Sequence, residues 1–295
     1  EKNTRPFLRN TEFHWQELHT AHSSKDEAIK QTLKTLEIYR NFIEDYLCMP
    51  VLVGEKTENE RFAGAENTYT CEALMQDGQA LQCATSHFLG QNFAKAYEVK
   101  YQTKDNKFDA IYQSSAGIST RIIGGLIMSH SDDNGLILPF KIAPVQIAII
   151  VVNANDKATN TYIKSLKKIL GDKYRIVIDD SDKSFGFKIN KYQVQGVPFC
   201  IVVGNQEIQA KEVPFIRRDN NDKLKVNLKS IAKHLTEAIK QYQNNLFNLA
   251  NNRLQSSIVE ISNFNQFKDA INNKKAGLPP AALLLLFCAE IALFC

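Results

Sequence analysis

Apolar residues first fall into a helical rhythm at Ile29, Leu33, Leu36, Ile43 and Leu47, the spacing of one buried helix face. Ser24, followed three residues later by Glu27, supplies a capping box, and Pro50 stops the helix. The rhythm then shortens to two. PVLVG reads as a short buried strand. Thr68 to Leu74 and the run ALQCATSHF, joined through Asp77-Gly78-Gln79, predict an antiparallel hairpin. Simple alternation puts Gln82, Ala84 and Ser86 on one face of its second strand and Cys83, Thr85 and His87 on the other. GQNFAKAYEV reads as a short helix and FDAIYQSSAG as a strand. The stretch GISTRIIGGLIMSH then predicts a helix whose first turn carries Ser119, Thr120 and Arg121.

Beyond Lys141–Pro144 the pattern changes. VQIAIIVV, YRIVIDD and FCIVVG are nearly continuous apolar runs, separated by helical stretches from about Asn155 to Leu170 and around Lys183–Lys191. Strands without alternation are buried on both faces, which is the mark of parallel pairing in an α/β unit. A hairpin strand KEVPFIRR and a long helix from about Leu228 to Ala250 follow. The fold expected is therefore α+β in the first half and α/β in the second, in three parts: 1–142, 143–250 and 251–295.

The first stretch, Arg5 to His22, holds candidate chemistry. Read as one strand, Arg9, Phe13 and Glu17 point the same way, with Thr11 and Trp15 between them. A cation, two rings and a carboxylate on one face suit a nucleotide and a small amino acid; an edge strand of mixed exposure fits the same spacing. Arg121 at a helix N-terminus suits an anion, since free N–H groups and the helix dipole favour negative charge there; a solvated arginine fits equally. His87, where a strand opens toward Gly90, reads as a pocket residue or a structural one.

Composition narrows the picture only modestly. The 295 residues, 44% hydrophobic and 23% charged, are those of a folded protein, and a net charge of +4 permits an RNA partner without demanding one. The six cysteines are scattered with no CxxC pair, so a reducing cytoplasm is expected and a strong zinc signal is lacking. The apolar tail Ala281–Cys295 contains Glu290 and is shorter than the roughly twenty residues a bilayer span takes, so no membrane association is expected. No Walker or GxGxxG glycine pattern occurs, which disfavours P-loop and Rossmann nucleotide sites.

Taken together, three segments resemble a class II aminoacyl-tRNA synthetase, most nearly the prolyl-tRNA synthetases of archaeal and eukaryotic type. PFLRNTEFHWQE is similar to the second half of motif 2, QALQCATSHFLGQNFAKA to the proline-pocket segment, and GISTRIIGGLIMSHSDDNGLILP to motif 3. KIAPVQIAIIV resembles the junction into the anticodon-binding domain. The resemblance implies an antiparallel-sheet catalytic core followed by an α/β anticodon-binding domain. It also implies activation of L-proline by ATP, with Mg2+, to prolyl-adenylate, and transfer to tRNA(Pro) by a cytoplasmic homodimer. Carried over by position, Phe13 stacks on adenine while Arg9 and Arg121 grip the γ-phosphate as the catalytic cations. Gln82 and Thr85 contact ATP or its magnesium, Asn10 and Ser119 are nearby ATP contacts, and Trp15, Glu17 and His87 shape the proline pocket.

Departures from the family pattern are specific. Asn10 stands in place of Thr, Leu18 in place of Gly, Ala116 in place of Trp and Ser131 in place of Gly. In GVPFCIVVG, Cys200 and Val202 occupy the slots of an Arg and a Glu able to read guanine edges. Anticodon contact then falls to Lys188 and Arg217 as candidates. Cys288 resembles the first ligand of the family's C-terminal zinc module. Motif 1 and the first strand of motif 2 are not in this sequence, so these residues alone are expected neither to dimerise normally nor to activate proline. A synthetase-like paralogue that binds tRNA or a regulator without aminoacylation is the competing expectation.

Overall fold

The computed structural model describes residues 4–152, 157–258, 263–265 and 268. The chain divides into two compact units, one of residues 1–45, 49–129 and 250–295, the other of residues 46–48 and 130–249.

In the first unit, strand β1 (Trp15–His22) leads into helix α1 (Lys25–Asp45), then β2 (Val51–Glu55), β3 (Asn67–Leu74) and β4 (Ala80–Gly90). A short helix α2 (Asn92–Ala96), a small hairpin β5 (Lys100–Gln102) and β6 (Phe108–Ala110), strand β7 (Tyr112–Ser119) and helix α3 (Arg121–His130) complete it. The main sheet runs β1-β7-β4-β3-β2, antiparallel throughout. The capping reading holds: the Glu27 N–H donates to Ser24 Oγ at 3.3 Å. The expected helix face is only partly right, because the buried stripe is Ala28, Thr32, Thr35, Leu36, Tyr39 and Ile43, while Leu33 is 44% exposed. Small threonines let α1 approach the sheet closely, and Ser86 Oγ donates to the Thr32 carbonyl at 2.8 Å. With α1 covering one face of the sheet, the other is left for a ligand.

FDAIYQSSAG divides into β6 and β7 rather than forming one strand. The opening stretch is corrected more substantially. Arg5 to Arg9 folds back on itself, with Arg5 and Arg9 exchanging both backbone hydrogen bonds at 2.8 and 2.9 Å. Phe7 sits there at φ 60. The strand begins only at Trp15, so Arg9 and Phe13 are not on its face.

In the second unit, β8 (Ile147–Val151), α4 (Lys157–Leu170), β9 (Ile176–Asp179), α5 (Phe185–Val194) and β10 (Phe199–Val203) are followed by α6 (Asn205–Ala210), β11 (Glu212–Arg217), β12 (Lys223–Asn227) and α7 (Ile231–Ser257), whose last residues, from Ala250, fall in the first unit. The order is β12-β11-β10-β8-β9, with β9, β8 and β10 parallel. Strand β8 explains its own sequence: Ile147, Ile149 and Val151 pack into one core and Ala148 and Ile150 into another. A strand covered on both faces has no polar positions to alternate. Helix α6 and strand β12 are elements that the hydrophobic pattern missed.

Asp179 ends β9 inside a hydrogen-bonded cluster. Its carboxylate accepts from Ser181 Oγ at 2.6 Å and from the Tyr192 hydroxyl at 2.9 Å. Burial would raise its pKa, but the Ser181 and Tyr192 hydrogen bonds and the Lys191 charge outweigh it and hold the group at about 2. A depressed folded pKa gives stability that is present above the unfolded value near 4 and is lost as pH falls through about 2. Asp179→Asn is therefore expected to lose about 2 kcal/mol at neutral pH and to flatten the stability-versus-pH curve between those limits. Chemical denaturation at a series of pH values measures both.

Candidate active site

Cross-strand register brings the site together. Glu17 on β1 pairs with Gly117 on β7, Gly117 with Thr85 on β4, and Thr85 with Thr70 on β3. One step along, His19 pairs with Ser115, Ser115 with His87, and His87 with Thr68. Directly opposed residues share a sheet face, so these two rows line the face that α1 leaves bare. A cavity of about 390 Å³ opens on it, lined by residues that include Trp15, Glu17, His19, Phe62, Thr85, His87, Phe93 and Gly117.

The expected placement of Gln82 is corrected. Strand β4 carries a bulge opposite Cys71/Glu72: Cys71 pairs with Ala84 and Glu72 with Gln82, leaving Cys83 unpaired. The extra residue reverses the alternation. Thr70 and Glu72 lie on one face, the Thr70 hydroxyl donating to Glu72 at 3.4 Å. Gln82 thus shares the cavity-side face with Thr85 and His87 instead of lying opposite them.

Arg121 is the first residue of α3, with Ser119 Oγ accepting its backbone N–H at 3.3 Å. Its Nε donates to the Leu8 carbonyl at 3.1 Å. That bond ties the helix terminus to the turn that carries Arg9 and Asn10. Gly124 makes the approach possible, since a Cβ there would lie 2.7 Å from Leu8 Cδ2. Phe13 is 53% exposed and meets Trp15 edge-on, with ring centroids 6.1 Å apart. Arg121 is thus bonded to the Arg5–Arg9 turn, and Phe13 packs against Trp15, which lines the cavity.

Within the cavity, Glu17 and His19 contact each other at 2.9 Å. Phe62 and His87 lie with centroids 4.8 Å apart, tilted by 39°. Burial, and then the Lys56 charge, push His87 down to a pKa of about 4, so its ring is neutral at physiological pH. His19, Phe62, Phe93 and Thr68 were not singled out from sequence. His19 could have been, because it continues the alternation Trp15, Glu17. Phe62 and Phe93 come from a loop and a short helix, where no periodicity marks a side chain's direction.

Gly64 keeps this wall in place. It adopts φ +90, and a Cβ there would sit 2.6 Å from the Phe93 ring. Gly64→Ala is expected to cost about 1–2 kcal/mol of stability from the left-handed conformation alone and to displace Phe93. Thermal unfolding and cavity-ligand affinity should both fall.

The second unit alters the expectation for the two basic candidates. Lys188 is 3% exposed, and its ammonium donates to the Val151 carbonyl at 2.8 Å and, at 3.4 Å, to the Asp179 carbonyl. Arg217 is 8% exposed and forked onto Asp219, with Gln241 accepting a third bond. Both charges are spent inside the unit, because a buried cation must be paired, so neither is displayed to a polyanion. Cys200 lines an apolar cavity of about 260 Å³ with Phe185, Ile189, Val197 and Ile216, and Lys223 and Asn221 also border it. Val202 is buried in β10. Cys288 lies outside the described residues, as does the zinc expectation that rests on it. No grouping of three or more His, Cys, Asp or Glu suited to a metal exists among the described residues.

Leu18 and Ala116, two departures from the family pattern, stand directly opposite each other in the β1–β7 register. A larger residue on one strand there faces a smaller one on the other.

Comparison with known proteins agrees with this architecture. Residues 1–130 match the tRNA synthetase class II core domain (G, H, P, S and T), and residues 146–238 match an anticodon binding domain. The chain is 49% identical over 276 residues to a proline--tRNA ligase of Malacoplasma penetrans, covering 93% of this chain and 58% of that protein. It is 43% identical over 291 residues to the Mesoplasma florum proline--tRNA ligase, covering 99% and 60%. The crystal structure of Cryptosporidium parvum prolyl-tRNA synthetase complexed with L-proline and AMP superposes with a TM-score of 0.86 at 35% identity, covering 92% of this chain and 59% of that one. The chain thus spans about three fifths of the length of the relatives it matches. By fold and by both family matches, it carries a class II aminoacyl-tRNA synthetase core domain followed by an anticodon-binding domain.

Proposed function

We propose that these residues belong to a prolyl-tRNA synthetase, which activates L-proline with ATP to prolyl-adenylate and transfers the prolyl group to tRNA(Pro). The observation that carries this reading is the cavity-side sheet face, where Trp15, Glu17, Thr85 and His87 gather beside the α3 terminus. Identity to proline--tRNA ligases over most of the chain supports it. The archaeal and eukaryotic type stays part of this proposal on the sequence resemblance alone, since the relatives of higher identity are bacterial enzymes. The division at residues 142 and 250, a cytoplasmic location and a homodimer in the full-length protein belong to the same reading.

In this account Trp15, Glu17 and His87 hold proline, with the Glu17 carboxylate facing the prolinium nitrogen. Phe13 stacks on adenine, Arg9 and Arg121 take the γ-phosphate, and Asn10, Ser119, Gln82 and Thr85 contact the nucleotide. The proline carboxylate attacks the α-phosphate in line and pyrophosphate leaves. Such a step needs positioning and charge neutralisation, not a protein nucleophile. Mg2+ would be carried mainly by the phosphates and water, and Gln82 and Thr85, which share one sheet face, would offer it neutral oxygens; bound there, it would neutralise phosphate charge. Anticodon contact passes to the residues that border the apolar cavity of the second unit, Lys223 and Asn221, since Lys188 and Arg217 are tied inward.

A non-hydrolysable prolyl-adenylate analogue should raise the melting temperature of the full-length protein, as any ligand specific for the folded state does. Alanyl, seryl and threonyl counterparts should not. A larger shift with one of those would overturn the assignment. Tight tRNA binding with no response to any adenylate or to ATP would favour the paralogue without aminoacylation.

A further inference from the structure

We propose that Thr68 is the positioning residue of the amino-acid pocket, fixing which nitrogen of His87 carries the proton and holding Phe62 against the same ring. The inference deepens the prolyl-tRNA synthetase reading and rests on it for the identity of the ligand.

A count of hydrogen bonds at Thr68 fixes the tautomer. Thr68 is 1% exposed, so its hydroxyl proton needs a partner inside the protein. A threonine hydroxyl has one proton and two lone pairs. One lone pair accepts the Phe62 backbone N–H at 3.0 Å. The other contact is His87 Nδ1, at 3.0 Å. Of these two neighbours only Nδ1 is able to accept, so the hydroxyl donates to it. In a neutral imidazole the proton then resides on Nε2. Nε2 lies across the ring from Thr68, and His87 lines the cavity. The pocket is thereby given a fixed N–H donor, which suits an oxygen: the carboxylate of a bound amino acid or the acyl carbonyl of its adenylate.

The same hydroxyl holds the wall. Phe62 stands on the loop between β2 and β3, and its backbone is pinned by Thr68 while its ring lies 4.8 Å from that of His87. The loop is also anchored at Lys56, whose N–H donates to the Thr68 carbonyl at 2.8 Å. One buried side chain therefore sets both the donor and the surface packed over it.

The test uses full-length protein with histidine labelled in the ring with nitrogen-15, a His87→Gln variant to assign the signals, and the pair Thr68→Val and Thr68→Ser. In the wild type, Nδ1 should give a pyridine-type signal and Nε2 a pyrrole-type one. Thr68→Val should mix the two tautomers and raise the KM for proline about tenfold, the scale of one neutral hydrogen bond, with kcat nearly unchanged. Thr68→Ser should restore both readouts. A pyrrole-type Nδ1 in the wild type overturns the inference without recourse to any variant, as does a Thr68→Val protein with an unmoved tautomer and KM. A wild type that is inert toward proline overturns the functional reading instead, and the tautomer remains readable in it.

Discussion

Replacing Arg121 with alanine should lower proline-dependent exchange of pyrophosphate into ATP by about a thousandfold, the scale on which loss of a preorganised charge stabiliser is felt. Two effects combine. The guanidinium is lost from a helix terminus whose N–H groups and dipole already favour an anion. The bond from Nε to the Leu8 carbonyl is lost as well, and with it the tie between α3 and the turn that carries Arg9. Arg121→Lys separates the two: an ammonium restores charge but not the planar fork. Lysine is therefore expected to recover only part of the rate. Full recovery would mean that charge alone matters and that the tie to Leu8 is incidental. The KM for proline should change little in either variant, because the proline pocket lies on the sheet face.

The largest effect on stability is expected at Asp219. Its side chain is fully buried and accepts from Arg217 Nε at 3.0 Å, Arg217 Nη2 at 2.7 Å and Asn245 Nδ2 at 2.8 Å. Such a pair contributes little net stability, because desolvation offsets the attraction. Removing one partner is different, since it strands a buried charge. Asp219→Ala should destabilise the second unit by about 3–5 kcal/mol, visible as a lower denaturant midpoint. The double variant Arg217→Met with Asp219→Leu should recover most of that loss. If it is as unstable as the single variant, packing around Asp219 rather than the stranded charge is responsible.

Arg217 and Lys188 also show where sequence reading stops. The sequence offers both as candidates for anticodon contact, and both are interior. The partner of Arg217 lies only two residues away, yet nothing in the order RRD says that the pair turns inward. Lys188 finds two backbone carbonyls at strand ends, partners that no residue pattern displays. The bulge at Cys83 is similar. It involves no glycine and leaves the apolar pattern of β4 intact, so Gln82 was placed on the wrong face although its association with Thr85 was anticipated. The turn of Arg5 to Arg9 was hidden for the opposite reason: alternation of types ran through it by coincidence. By contrast, the cap at Ser24, the turn where the Gln79 N–H bonds Asp77 Oδ1 at 3.0 Å and the two-faced strand β8 were legible. Each is set by local chemistry or by burial that the whole segment shares. The candidate site lay between these cases: its segments could be named from sequence, while the rows that join Glu17 to Thr85 and His19 to His87 required the register.

The most direct measurement is amino-acid-dependent exchange of labelled pyrophosphate into ATP by the full-length protein. The account predicts exchange with L-proline, and loss of it in Arg121→Ala. Exchange driven by alanine or cysteine while proline is inert would contradict it.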